Sequence, residues 1–225
     1  MTDAGPAGAS PVSATLPTTP HEADPLELRG PTLTLRYATA ADAPALLALA
    51  SDPAVTRYFS WGPYRSLEEP AAYIASLPAR RERGERLDLL VVHREDGPIG
   101  VTGLSEVARR DRHATVGSWF GHRWWGSGAS FESKALIAAL AFERLGMERL
   151  TALANTRNGR SQVSLERIGF RREGVLAAWH RHGGDVHDVV VFGLTRPVWE
   201  RSALRRLPAE ITGAAPPAFV VGPAR

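Results

Sequence analysis

Residues 121–146 read "GHRWWGSGASFESKALIAALAFERLG" and place Gly126, Gly128 and Ala129 directly ahead of an apolar run. Ala135, Leu136, Ala139, Leu140, Phe142 and Leu145 recur at helical spacing and form one stripe, which Gly146 is expected to end. The start of a helix carries unpaired backbone N–H groups and the positive end of the helix dipole, and missing side chains let a phosphate approach that backbone. The stretch therefore suits an anion, a pyrophosphate best of all, although the same glycines would also serve a tight turn with no ligand. Two other phosphate loops are excluded by spacing. No Lys-Ser/Thr follows Gly128, and Phe131 stands where the dinucleotide fingerprint needs its third glycine.

Working outward, "TLTLRYA" alternates as a strand, and "TAADAPALLALASD" follows as a helix capped by Thr39 or Asp42. A second helix is expected near Ser66, where "SLEE" reads as a capping box. "LDLLVVHRE", "IGVTGLSEV" and "ATVGSWFG", joined by short polar turns, make a three-stranded antiparallel meander. After the quoted helix come a buried strand "RLTALA", a short helix "RNGRSQVSLERIG" stopped at Gly169, and two strands at "FRREGVLAAW" and "DVHDVVVFGLT". The fold class is α+β: one domain over 29–200, with a mixed, mostly antiparallel sheet and about four helices. Residues 1–28 are Pro-, Ala-, Ser- and Thr-rich without periodicity and are expected to be a disordered tail. Residues 201–225 are read as a second tail, in which "AFVV" is apolar enough to dock onto the body or a partner.

Composition narrows the function. A chain of 225 residues with 44% hydrophobic and 23% charged residues is an ordinary globular protein. No apolar stretch reaches the roughly 18 residues of a membrane span. The first 28 residues hold neither Lys nor Arg and no apolar core segment, so no leader is expected and the location is read as cytoplasmic. The absence of cysteine excludes disulfides, a thiolate nucleophile and thiolate metal ligands. His180, His182 and His187 cluster in "WHRHGGDVH", but a flexible turn fixes no ligand geometry, so no metal is expected. The net charge is +3, carried by arginines and the single lysine Lys134. That balance suits a polyphosphate ligand; no RNA- or DNA-binding motif appears, and nucleic acid is not an expected partner.

The segment Arg123–Gly128 resembles the Gln/Arg-x-x-Gly-x-Gly/Ala signature of the GCN5-related N-acetyltransferase (GNAT) superfamily. "NTRNGRSQVSLERIGFRREG" downstream, with "WGPY", "SLEEPAAYI" and "GPIGVTGL" upstream, is similar to the RimJ and RimL type, which acetylates the N-termini of ribosomal proteins. The resemblance runs from about Thr32 to Trp199.

The resemblance implies an enzyme that moves an acetyl group from acetyl-CoA to a primary amine by direct attack in a ternary complex, as a monomer or homodimer. It implies that Gly126, Gly128 and Ala129, helped by Ser127 and Arg123, bind the CoA pyrophosphate. The backbone at Trp119 and Phe120 would meet the pantetheine arm and the thioester carbonyl, where an N–H stabilises the oxyanion. Asn158 would contact the arm, and Ser161 would assist the departing thiolate; both also read as helix caps. Relatives carry a general-base Glu where this chain has Thr115. Glu106 on the adjacent strand is the expected replacement, with His113 second. Trp61, Tyr64 and Trp179 are expected to line the acceptor pocket. Glu132 is read as structural, and Asp188 as an ion-pair partner of a local Arg. Thr115 also leaves open a different class, a catalytically silent acyl-CoA-binding module.

Overall fold

The computed structural model describes residues 25–221, so the expected N-terminal tail lies almost wholly outside the described residues. Nine strands form one sheet: β1 (Glu27–Arg29), β2 (Leu33–Arg36), β3 (Arg86–His93), β4 (Gly97–Ala108), β5 (His113–Phe120), β6 (Arg149–Asn155), β7 (Arg171–His182), β8 (Asp185–Thr195) and β9 (Glu210–Thr212). Their order across the sheet is β7-β8-β6-β5-β4-β3-β2-β1-β9. Every neighbouring pair is antiparallel except β5 and β6.

Seven α-helices occur among the described residues: α1 (Ala43–Ala50), α2 (Pro53–Thr56), α3 (Glu68–Glu82), α4 (Ala129–Ala139), α5 (Gly159–Arg167), α6 (Arg196–Glu200) and α7 (Ala203–Arg206). Only α1, α3, α4 and α5 reach eight residues, and these are the four that periodicity locates. The three one-turn helices carry too few residues to show a period. Thr39 and Asp42, the two expected caps, together form a capping box ahead of α1. The expected box at Ser66 does not form: α3 starts at Glu68 with Leu67 at its cap and no side-chain cap bond.

The sheet is covered on both faces around its centre. α4 and its continuation pack Leu136, Ile137, Leu140 and Phe142 against Leu28, Leu89, Leu104, Val116, Leu150 and Phe192. The apolar run does not stay α-helical to its end. Leu140–Arg144 widen into a π-turn, and Gly146 follows at φ 77°. On the opposite face, Ala43 and Leu46 of α1 and Ile74 of α3 pack on Leu90 of β3 and Val101 of β4. The β7 edge has no such cover and is exposed along most of its length.

The segment after residue 200 differs from the expected tail. β9 pairs with β1 through Leu28↔Ile211, Phe219 is fully buried, and Val221 N–H donates to Leu145 O at 2.9 Å. "AFVV" thus docks onto the body. A three-residue strand has no readable alternation, and its partner lies at the other end of the chain, so composition alone made this stretch resemble a tail.

Candidate active site

Parallel pairing of β5 and β6 lasts only from His113↔Arg149 to Thr115↔Thr151. Beyond that the strands part, because β5 stays with β4 while β6 stays with β8 through Asn155↔Val189. A cleft of about 750 Å³ opens between them, lined by residues 116–120 of β5, 152–155 of β6, the start of α4 and α5 along its length. Its charged lining residues are Lys134, Arg160 and Arg167, joined by His180, with no carboxylate among them.

Gly126 and Gly128 line the mouth at φ 80° and 94°, a region costly for any residue with a Cβ, and Gly128 is the N-cap of α4. A Cβ at either position would point into open space. The glycines therefore serve backbone conformation, and the volume beside them stays free. Ser127 is exposed and outside the lining: its hydroxyl closes the local turn by donating to Trp124 O at 2.8 Å and accepting from Ala129 N–H at 3.3 Å. Arg123 is not part of the lining. Its guanidinium is largely exposed and donates to Asp96 at 2.8 Å. The guanidinium nearest the mouth is that of Arg160, stacked on the ring of Trp125.

Asn158 and Ser161 both line the cleft, and Asn158 caps α5 by accepting from Ser161 N–H at 3.2 Å. Trp119 and Phe120 line it from β5. Alternation sends Trp119, Gly117 and Thr115 to the face away from α4. There Trp61 meets Trp119 edge-on at 5.4 Å, stacks with Phe59 at 5.3 Å and meets Tyr64 at a tilt, also at 5.3 Å. Burial, with Glu69 and Asp88 nearby, raises the Tyr64 phenol above its ordinary pKa. Trp179 does not join this cluster; it is half-exposed on β7 and makes no ring contact among the described residues.

Beside Trp119 the register aligns Gly117, Gly103 and Asp88 across three strands. A side chain at Gly103 would collide with the Asp88 carboxylate, whereas Gly117 is open. Asp88 is buried and held by Tyr73 Oη at 2.8 Å and Arg86 Nε at 2.9 Å. Burial and the Asp88 charge push the Tyr73 phenol far up, which keeps it a donor. The next row brings Thr115 opposite Ser105, and a bulge follows in which Glu106 takes φ 50°. That bulge turns the Glu106 carboxylate onto the Thr115 hydroxyl, which donates to it at 2.7 Å. Glu106 is solvent-exposed and stands outside the cleft lining.

Glu132 accepts from Thr32 N–H and Leu33 N–H at 2.7 Å each and from the Thr32 hydroxyl at 2.6 Å, tying α4 to the start of β2. Asp188 makes no arginine pair among the described residues; it accepts from Ala178 N–H at 2.8 Å, pinning a bulge where Ala178 has φ 54°. The rings of His182 and His187 stack at 3.8 Å, and no group of three potential metal ligands occurs among the described residues. Sequence reasoning overlooked Ser118, Ser130, Asn155 and Lys134, all of which line the cleft. For Lys134 the available signal was a lone lysine inside an apolar helix.

A mixed sheet whose one parallel strand pair parts over a glycine-opened helix is the architecture of an N-acetyltransferase. Residues 32–171 match the family model described as "Acetyltransferase (GNAT) domain", and the chain belongs to that family. It is 30% identical over 169 residues to the uncharacterized N-acetyltransferase YoaA of Bacillus subtilis (strain 168), covering 73% of this chain and 94% of that protein. It is 36% identical over 104 residues to the [Ribosomal protein uS5]-alanine N-acetyltransferase of Escherichia coli (strain K12), covering 45% and 53%. Among solved structures it resembles Mycobacterium smegmatis RimJ in complex with CoA-disulfide, with a TM-score of 0.71, 20% identity, and coverage of 82% of this chain and 91% of that one. No helix among the described residues is long and apolar enough to cross a membrane.

Proposed function

We propose that the protein transfers an acetyl group from acetyl-CoA to a primary amine within a ternary complex. The observation that carries this reading is the parting of β5 and β6 over the start of α4, in a cleft whose charged side chains are all basic. The CoA pyrophosphate lies at Gly126, Gly128 and Ala129, where the helix start offers N–H groups and the glycines leave space. The arm continues past Asn158 along the β5 edge at Trp119 and Phe120, whose freed backbone can donate to the thioester carbonyl. Arg160, rather than Arg123, supplies the charge at the mouth.

The amine arrives on the other face, between the Trp61–Tyr64 aromatics and the Thr115–Glu106 pair, over the open floor of Gly117. Glu106, directly or through water, takes the proton that must leave the ammonium, and Ser161 stands on the cleft side to assist the thiolate. The acceptor class is a protein N-terminus or a small-molecule amine.

The test is free-thiol release from acetyl-CoA against peptides, aminoglycosides, polyamines and amino acids, with binding followed calorimetrically. Binding with turnover on one class names the acceptor. Binding with no turnover on any class favours a silent acyl-CoA-binding module, and no binding overturns the reading.

A further inference from the structure

Lys134 is the only lysine of the chain, and its side chain is almost fully buried, 4% of the residue being exposed. It lies on the face of α4 that carries Ser130 and Phe131 into the cleft. Its ammonium donates to the Ser118 hydroxyl of β5 at 2.5 Å and has no salt-bridge partner among the described residues. An ammonium has three N–H donors, so two remain unused. Burial lowers its pKa to about 8, which leaves it mainly charged at neutral pH.

A desolvated cation without a counter-charge is strongly unfavourable, and an anionic ligand group placed beside it would offset that cost. Nothing around Lys134 supplies the anion. The other ionisable groups of the lining, apart from tyrosine, are Arg160, Arg167 and His180, none of them an acid, and Glu132 on the same helix is committed to Thr32 and Leu33. Lys134 follows the capping Gly128 by six residues, roughly 9 Å along α4. Its partner Ser118 lies three residues, roughly 10 Å, from the point where β5–β6 pairing closes the cleft. A CoA phosphate held at the glycines stays at the mouth, and the pantetheine arm is neutral. The missing negative charge must then come from the acyl end.

Resting on the reading that this cleft holds CoA, we propose that it also takes the CoA thioester of a short dicarboxylic acid, whose free carboxylate pairs with the Lys134 ammonium and the Ser118 hydroxyl. The transfer itself is unchanged. The neutral amine attacks the thioester carbonyl carbon, a C–N bond forms, the C–S bond breaks, and CoA leaves as the thiolate while the amine proton passes to Glu106 or solvent.

The experiment is calorimetric titration of the full chain with CoA, acetyl-CoA and succinyl-CoA, for the wild type and Lys134→Met, at pH 7 and pH 9. The wild type is expected to bind succinyl-CoA about tenfold more tightly than acetyl-CoA at pH 7. Because the ammonium is lost above about pH 8, that preference should fall about tenfold by pH 9, with acetyl-CoA as the internal reference. Lys134→Met, its fold checked by melting temperature, should abolish the preference. Equal wild-type affinities for the two thioesters would overturn the proposal, whatever the variant does. So would a preference that survives in Lys134→Met, or a mass increase on the Lys134 peptide after incubation with acetyl-CoA, which would make the lysine an acceptor instead. Failure of all three ligands to bind would instead remove the CoA reading beneath it.

Discussion

Two regions of the cleft are built in opposite ways. At the start of α4 the working atoms are backbone groups of consecutive residues, held by the positive φ of Gly126 and Gly128. At Thr115 the working group is a carboxylate from another strand, delivered by a bulge that places Glu106 nine positions away onto the Thr115 hydroxyl. Chemistry made of backbone conformation is written in a short motif. Chemistry made of side-chain juxtaposition can change strands and leave the motif looking broken.

The sharpest way to break this comparison is Glu106→Gln. Turnover should fall by roughly 10² or more with acetyl-CoA binding unchanged, as loss of a general base requires. A variant within a few-fold of wild type in steady-state rate would remove Glu106 from the mechanism. Gly128→Val should do the converse. A β-branched residue at φ 94° carries strain of about 1–3 kcal/mol, so acetyl-CoA affinity should drop by roughly 30-fold in calorimetry. Unaltered affinity would show that the helix start holds nothing. Thr115→Ala removes only the hydrogen bond that orients Glu106, and one such bond is worth about 1 kcal/mol. A loss of about fivefold in kcat with little change in the Kd of acetyl-CoA is expected, and a loss as large as that of Glu106→Gln would assign Thr115 a direct role. Arg123→Ala should have the smallest effect, within about twofold on acetyl-CoA affinity, because its guanidinium is exposed and paired with Asp96. A tenfold loss would return Arg123 to the phosphate site.

Much of the fold was legible. The meander β3–β4–β5, the four longer helices and the buried strand β6 all announce themselves by period, because one face of each meets the core. The strands β1 and β9 did not, since three residues carry no period and their pairing joins opposite ends of the chain. Around the site, Trp61 and Tyr64 were expected at the acceptor pocket, and the structure brings their rings together with Trp119. Trp179 was grouped with them because the family's loops there are aromatic, yet β7 carries it to an exposed edge. Asp188 was read for its charge and is used for its hydrogen bond to Ala178.

The sequence by itself determined the α+β class, the family and the opened start of α4, because amphipathic period and glycine dihedrals are properties of adjacent residues. Only the tertiary structure decided that Arg123 is spent on Asp96, that Glu106 stands beside Thr115, and that Lys134 is a buried cation whose single partner among the described residues is a serine. Burial, desolvation and the choice of a hydrogen-bond partner depend on which distant strands are brought together. No short stretch of sequence carries that information.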